Sequence, residues 1–250
     1  LPAPEVTFGL GSLRGLALPA PSADTHNVHA FLGVPYAQPP VGALRWRPPA
    51  PPLPWRGVRE ARAFGPDAPQ APDPFLRGAG QSEDCLHLNV WAPEGAAPGS
   101  LPVMVWVHGG GFAGGSGSDA NNDGAQLAAR GVVVVSFNYR VGLFGFLAHP
   151  ALVEESEHQV AGNYGLLDQL AALRWVQEHI AAFGGDPARV TAFGYSAGSA
   201  SLSLLLTSPL AGGLFQQAIL QSPGAGRPLA TLPEALALGA QLGGDIGALR

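Results

Sequence analysis

The stretch AFGYSAGSA, Ala192–Ala200, places a serine between the end of an apolar, partly aromatic run and a run of small residues. We predict a strand that ends at Ser196 and a helix over Ala197–Leu206. Gly194 and Gly198 flank the serine two residues away on either side, so the segment fits the pattern G-x-S-x-G. At such a turn the serine backbone is strained, and its neighbours must be small because strand and helix pass close to it. An ordinary strand-to-helix loop is the alternative, since short patterns recur by chance in a chain with 35 glycines.

The chain around this turn alternates predicted strands with predicted helices. Short apolar or β-branched runs bounded by turn residues predict five buried strands. These runs are Cys85–Pro93, Pro102–Gly109, Val132–Tyr139, Arg189–Ser196 and Gln217–Ser222. Between the third and the fourth run, apolar residues recur every three or four positions from Leu166 to Phe183, which predicts an amphipathic helix ending at Gly184–Gly185. The alternation indicates an α/β fold with a mostly parallel central sheet and helices on both faces.

The first 80 residues are rich in proline and have no such pattern. The segment Phe31–Trp55 mixes prolines, glycines and aromatic residues, which suits neither helix interiors nor central strands. A flexible linker would carry fewer aromatic residues, so we predict an ordered, loop-rich cover with short edge strands over residues 1–80. The sheet core then occupies residues 81–225, and residues 226–250 begin a further C-terminal region, all within a single domain over 1–250.

Composition limits the function classes to which the chain can belong. With 46% hydrophobic and 12% charged residues in 250 positions, the chain can bury a sizeable core. A formal net charge of -5 and the lack of a basic run argue against a nucleic-acid partner. No run approaches the ~20 apolar residues of a membrane span. All 13 basic residues are arginines, so a Walker P-loop, a pyridoxal Schiff base and a Ser–Lys dyad are excluded.

Two further features bear on the redox state and the location of the chain. Cys85 is the single cysteine, so the chain can form neither an intrachain disulfide nor a Cys-rich metal site. The chain starts at Leu1 without a charged leader and an apolar stretch, and we expect its encoded amino terminus to lie upstream. A secreted and a cytoplasmic location both stay open.

A second motif, HGGGFAGGSGS over His108–Ser118, follows the predicted strand that contains VMVWV. The three consecutive glycines Gly109–Gly111 let the backbone come close to a bound acyl group and direct its N–H groups at a developing oxyanion. A phosphate-binding loop is the competing interpretation, but no lysine follows and the spacing G-x-G-x-x-G is absent. Together with the serine turn, the loop predicts acyl-transfer chemistry.

Six segments between about Phe31 and Gly224 extend these two motifs. They are FLGVPYAQPPVGALRW, SEDCLHLNVWAP, PVMVWVHGGGF, NYRVGLFGFL, GNYGLLDQLAALRWVQEHIAAFGGDPARVTAFGYSAGS and GLFQQAILQSPG. In these segments the chain resembles the type-B carboxylesterase/lipase family, which includes cholinesterases and bacterial p-nitrobenzyl-type esterases. The resemblance implies an α/β-hydrolase fold and hydrolysis of small-molecule carboxylic esters through a serine acyl-enzyme, with no metal or organic cofactor.

The resemblance also implies roles for individual residues. Ser196 corresponds to the nucleophile, and the N–H groups of Gly110, Gly111 and Ala197 correspond to the oxyanion hole.

The sequence departs from the family pattern at two positions. The residue before the nucleophile is commonly glutamate in the family and is Tyr195 here. The family often pairs the cysteine at position 85 with one in a segment like FGxxCPQ, which here reads FGPDAPQ with Ala68 in place of the cysteine. The thiol of Cys85 is therefore expected to be free.

The general base that Ser196 needs is missing from its usual place. All seven histidines precede Ser196, and the only carboxylates after it are Glu234 and Asp245. In the family the acid and the histidine follow the serine in a chain about twice as long. We therefore expect this chain to be the amino-terminal half, with its fold truncated on the C-terminal side and the acid and histidine in a missing C-terminal segment.

The histidines present in the chain show no catalytic arrangement in the sequence. His108 adjoins the glycine loop, and we expect its ring to shape that loop through a backbone hydrogen bond. The remaining six are expected to be surface or structural: His26, His29, His87, His149, His158 and His179. Asp168 in the long helix is expected to fix local packing.

One interpretation from another class stays open, a non-catalytic cholinesterase-like interaction domain or inactive fragment. We also expect the last predicted strand, near Gln217–Ser222, to leave an unpaired sheet edge through which the isolated chain could associate.

Overall fold

The computed structural model describes residues 2–224, 228–243 and 245–249. Within these residues the chain forms ten strands and six α-helices. The strands are β1 (Glu5–Phe8), β2 (Gly11–Arg14), β3 (Leu16–Leu18), β4 (Val28–Pro35), β5 (Val58–Glu60), β6 (His87–Pro93), β7 (Leu101–Val107), β8 (Val133–Phe137), β9 (Gly185–Tyr195) and β10 (Gln217–Gln221). The helices are α1 (Ala125–Ala128), α2 (Gly142–Phe146), α3 (Pro150–Glu155), α4 (Tyr164–His179), α5 (Ala197–Leu205) and α6 (Leu232–Gly239). The five predicted strands and the two predicted helices are all present.

The main sheet has seven strands in the order β10-β9-β7-β8-β6-β4-β3. The pairings from β8 through β7 and β9 to β10 are parallel. Those from β8 through β6 and β4 to β3 are antiparallel. The sheet is thus more mixed than the sequence predicts. Parallel neighbours need a crossover connection, usually an α-helix, and β3, β4 and β6 all precede the first described α-helix.

The first 80 residues contribute more to the main sheet than their proline content indicates. Strand β4 is largely buried and lies between β6 and β3, so it is an internal strand and not part of a cover. Its only proline is Pro35 at the strand end, where a lost N–H donor is tolerated. Strands β1, β2 and β5 form a separate three-stranded sheet, in line with the predicted short edge strands.

Helices cover both faces of the main sheet. On one face, Leu173 of α4 and Leu202 of α5 pack in a buried cluster with Val105 and Val135. On the other face, Ala128 of α1 packs in a second cluster with Trp91, Val134 and Val28. Successive residues such as Val134 and Val135 point to opposite faces because side chains alternate along a strand.

The end of α4 agrees with the predicted stop. A short 3-10 turn over Ile180–Phe183 follows the helix, and Gly184 ends it with a left-handed φ of 92°. That conformation favours glycine at a helix end because a Cβ would be strained there.

The residues after β10 fold back onto the middle of the chain. Ile246 is buried with Trp46, Leu152 and Tyr164. Of the region predicted to begin at residue 226, positions 226, 227, 244 and 250 lie outside the described residues. None of the described helices has the length and apolar character needed to cross a membrane.

Candidate active site

Ser196 lies between the end of β9 and the start of α5, as the sequence predicts. Its backbone angles are φ 53° and ψ -120°, a conformation that residues other than glycine rarely adopt. Its N–H donates to the carbonyl of Gln221 at 2.9 Å, and its own carbonyl accepts from the N–H of Ala200 at 2.8 Å. The serine therefore sits at a sharp, strained turn that is bonded to both β10 and α5.

The close approach of β7 explains why this turn needs small residues. A Cβ on Gly198 would lie 2.1 Å from the carbonyl oxygen of Val107 and 2.6 Å from that of His108. A Cβ on Gly194 would lie 2.8 Å from the same Val107 oxygen. Real Cβ atoms do not come this close, so any larger residue would push the serine turn away from β7.

The glycine loop lies directly beside Ser196. A Cβ on Gly109 would be 3.3 Å from the Cβ of Ser196. The loop bends back on itself, because the carbonyl of Gly110 accepts hydrogen bonds from the N–H groups of Ala113 and Gly114, both at 3.1 Å. Gly110 has φ 109°, which a residue with a side chain would adopt only under strain.

Three N–H groups next to Ser196 are candidates for an oxyanion hole. Among residues 2–224, 228–243 and 245–249, the N–H groups of Gly110, Gly111 and Ala197 donate to no protein acceptor. Ala197 is the first residue of α5, where the helix leaves its N–H groups free and its dipole favours a negative charge. These groups are therefore free to bind an anionic oxygen.

His108 shapes the glycine loop, as the sequence predicts. Its Nδ1 lies 2.8 Å from the carbonyl oxygen of Gly109, to which it must donate because a carbonyl only accepts. The ring stacks on Tyr139 with centroids 4.1 Å apart, and the Tyr139 hydroxyl donates to the His108 carbonyl at 2.9 Å. Burial lowers the pKa of His108 to about 4, so the ring is neutral near pH 7.

No histidine in the described part of the chain donates to or accepts from the Ser196 hydroxyl. His149 caps α3 by accepting from the N–H of Ala151, and its Nε2 lies 3.0 Å from the carbonyl of Gly243. His29 is on β4, which β7, β8 and β6 separate from β9, and its Nε2 lies 3.5 Å from a carboxylate oxygen of Glu94. Burial lowers the pKa of His87 and His179.

The carboxylates considered in the sequence analysis also have structural roles. Asp168 is fully buried and pairs with Arg140 through two hydrogen bonds of 2.7 and 2.8 Å, so it fixes packing as predicted. Glu234 forms a capping box with Thr231 at the start of α6. Asp245 accepts from the N–H of Ala248 at 3.0 Å. None of them is bonded to Ser196.

Cys85 is a free, buried thiol, as predicted. Burial raises its pKa, which keeps it protonated and unreactive. Ala68, at the position where the family often has a cysteine, is also buried.

A cleft of about 630 Å³ opens beside the glycine loop, with Trp106, Tyr195 and Gln221 in its walls. Its walls also include Gly109 and Gly110 of the glycine loop, but not Ser196. Among the described residues, no group of three or more His, Cys, Asp or Glu side chains could hold a metal ion.

Three residues that hold the glycine loop were not identified from the sequence. Tyr139 supports His108, while Asp67 and Gln70 bond to the far end of the loop. Asp67 and Gln70 belong to the FGPDAPQ segment. In the sequence this segment stood out only because Ala68 replaces a cysteine that the family often has there.

The chain is similar in sequence and in fold to several known proteins. The chain is 61% identical over 226 residues to fumonisin B1 esterase of Sphingopyxis macrogoltabida and 50% identical over 229 residues to para-nitrobenzyl esterase of Bacillus subtilis. It is 48% identical over 242 residues to acetylcholinesterase of Gallus gallus. A solved structure of PNB esterase superposes with a TM-score of 0.84 at 45% identity, covering 96% of this chain and 47% of that one.

The extent of these matches differs between this chain and its relatives. Each match covers 90% or more of this chain but only 42%, 44% and 30% of the three curated relatives, so the chain spans less than half of their length. The sequence profile of the Carboxylesterase family matches residues 2–248. With its serine turn and glycine loop in place, the chain belongs to the carboxylesterase family.

Proposed function

We propose that this protein hydrolyses small-molecule carboxylic esters through a serine acyl-enzyme. The Ser196 oxygen attacks the ester carbonyl carbon while a base takes its proton. The bond to the alcohol breaks, the alcohol leaves with that proton, and water then attacks the acyl-enzyme to release the acid and restore the serine. The N–H groups of Gly110, Gly111 and Ala197 stabilise the oxyanion of each tetrahedral intermediate.

The strained turn at Ser196 is the observation that carries this proposal. A non-glycine residue at φ 53° and ψ -120° costs on the order of 1–3 kcal/mol, and such strain concentrates at functional sites. Free N–H groups beside it supply what a tetrahedral intermediate requires. A non-catalytic domain would gain nothing from either feature.

We further propose that the acid and the histidine of the triad come from polypeptide outside these 250 residues. The described histidines and the carboxylates that follow Ser196 are not bonded to it, and the three curated relatives are more than twice as long as the matched region. Without the other triad members, the oxyanion hole and binding alone leave a rate of ~10³ to 10⁴ over water.

Labelling with a fluorophosphonate tests the nucleophile directly. The serine oxygen forms a bond to phosphorus and fluoride leaves, so the adduct is found by mass spectrometry on the peptide that contains Ser196. The chain should be tested alone and together with any in-frame sequence that follows residue 250. We expect labelling that Ser196→Ala abolishes and that Ser203→Ala, a control about two helical turns further along α5, leaves intact.

Labelling that survives Ser196→Ala would contradict the proposed nucleophile. A protein that is never labelled, even with the following sequence present, would support the non-catalytic interpretation.

We also propose that the isolated chain associates through β10. This strand pairs only with β9 within the described residues, and Ile219 and Leu220 are 44% and 36% exposed. An unpaired strand edge with apolar side chains favours pairing with another chain.

A further inference from the structure

We propose that Gln70 and Asp67 are positioning residues that hold the glycine loop in its oxyanion-binding shape. The inference rests on the proposed esterase function. It concerns the segment Gly65–Gln70, which crosses the far end of the loop.

Gln70 binds the loop backbone with both ends of its amide group. Its Oε1 accepts from the N–H of Gly115 at 2.7 Å, and its Nε2 donates to the carbonyl of Gly115 at 3.0 Å. The same Nε2 lies 3.1 Å from the carbonyl of Ala68, which fixes the side chain against its own segment. The Gln70 amide thus pairs with both the N–H and the carbonyl of Gly115, as the backbone of a neighbouring β-strand would.

Gly115 transmits this constraint to the residues beside Ser196. A Cβ on Gly115 would lie 2.3 Å from the carbonyl oxygen of Gly109 and 2.4 Å from Nδ1 of His108, so Gly115 is in close contact with the Gly109 backbone and the His108 ring. Gly114, the residue before it, donates to the carbonyl of Gly110. A displacement of Gly115 would therefore move the peptide groups of Gly109 and Gly110.

Asp67 holds the next residues of the loop. Its Oδ1 accepts from the hydroxyl groups of Ser116 and of Ser118, the latter at 2.8 Å. Its Oδ2 accepts from the N–H of Gly78 at 3.1 Å. Asp67 is 4% exposed, and a buried carboxylate requires such donors because burial without them is costly.

Asn138 completes the attachment from the end of β8. Its Oδ1 accepts from the N–H of Gly117 at 2.8 Å, and its Nδ2 donates to the carbonyl of Pro66 at 2.9 Å. The loop and the segment Gly65–Gln70 are therefore joined by hydrogen bonds, and no disulfide contributes because Cys85 is free.

This arrangement matters for catalysis because an oxyanion hole acts through its prearranged geometry. Removing one donor outright costs on the order of 10² to 10³ in kcat, and small misplacements of reacting groups also lower the rate. Loss of a support behind the loop should cost less than loss of a donor. We expect it to lower kcat with little change in KM, since the loop binds the transition state more strongly than the substrate.

The test compares Gln70→Met with Gln177→Met in the chain together with any in-frame sequence that follows residue 250. Methionine keeps the length of the side chain and removes its hydrogen bonds. Gln177 is a matched control, because its Nε2 donates to the carbonyls of Pro187 and Leu214 at 2.9 and 3.0 Å, remote from the loop. Hydrolysis of p-nitrophenyl acetate gives kcat and KM, and amide hydrogen exchange reports on Gly115 and Gly117.

We expect Gln70→Met to lower kcat roughly tenfold with KM within about twofold of wild type, and to speed exchange over residues 109–118. Gln177→Met should change neither. Asp67→Ala should behave like Gln70→Met. Asp67→Asn keeps an oxygen acceptor for both serine hydroxyls but turns its NH2 group toward the N–H of Gly78, so it should recover only part of kcat.

The two proposals fail in different ways. A wild-type protein without hydrolysis or labelling contradicts the esterase function, and the exchange measurement then still decides whether Gln70 and Asp67 hold the loop. An active wild type with unchanged kcat and unchanged exchange in Gln70→Met and Asp67→Ala overturns the inference.

Discussion

Ser196 keeps its strained backbone because its own N–H and carbonyl are hydrogen-bonded to β10 and α5. The hydrogen bonds to Gln221 and Ala200 would both break if the turn relaxed to ordinary angles. Gly198 lies so close to Val107 that the turn cannot shift toward β7 either. The strain is therefore stored by packing around the serine and is not removed by local rearrangement.

His108 should make stability depend on pH. Its pKa is about 4 in the folded protein and ~6.5 when unfolded, so the unfolded chain takes up the proton first on acidification. The stability that the neutral ring contributes is complete above about pH 6.5 and is lost as pH falls to about 4, a loss of about 3 kcal/mol. Urea unfolding at several pH values measures it.

His108→Phe is the comparison variant for this experiment, since phenylalanine still stacks on Tyr139 but does not titrate. His87 and His179 also have pKa values lowered by burial, so the variant should retain part of the pH dependence. Equal slopes of unfolding free energy against pH for both proteins would contradict the assignment.

At the scale of elements, the site depends on how β8 and α4 are fixed to each other. Arg140 follows β8 and is 2% exposed, and Asp168 on α4 is fully buried. Asp168 accepts from the Arg140 side chain and also from its backbone N–H at 3.0 Å. The pair therefore fixes the segment after β8 to α4. This segment includes Tyr139, which supports the glycine loop.

Asp168→Asn should lower the free energy of unfolding by about 3–5 kcal/mol, because it leaves the Arg140 charge buried without its counterion. Asp186→Asn is the control. It breaks the ion pair with Arg189, which is half exposed, so we expect a loss below about 1 kcal/mol. Chemical denaturation measures both, and similar losses in the two variants would refute the structural role of the buried pair.

At the scale of the whole molecule, the two edge strands of the main sheet differ in exposure. The residues of β3 at one edge are half-buried, whereas β10 at the other edge has mostly exposed side chains. On one sheet face the row Trp106, Phe193 and Ile219 runs out to this edge in register. Apolar surface and free backbone groups are therefore combined at β10.

The isolated chain should elute above its monomer size at micromolar concentration, and Ile219→Lys should shift it toward the monomer because a charged edge side chain disfavours strand pairing. Leu53→Lys, at a position that is 68% exposed and remote from β10 in the chain, is the control and should elute like wild type. Size-exclusion chromatography with light scattering measures this. A monomeric wild type with a sharp thermal transition would exclude association through β10.

Elements whose signal lies within a few consecutive residues could be predicted well. Local periodicity predicts the strand before Ser196 and the helix after it. The end of α4 follows from Gly184, because a left-handed φ at a helix end favours glycine. The same holds for the glycine loop, whose three consecutive glycines mark it without any knowledge of the fold. For these residues, short-range sterics and side-chain period are enough.

Contacts between remote segments were not accessible in the same way. Gln70 meets Gly115 across 45 positions, and Tyr36 donates to the carbonyl of Asn138 across 102. The burial of β4 inside the sheet and the antiparallel pairing of β6 also depend on which distant strands become neighbours. The residues themselves predict the nucleophile and the amides around it. The support that keeps these groups in place arises only when the folded chain brings its proline-rich start against the glycine loop, because hydrogen bonds and close packing act over a few ångströms of space and not along the sequence.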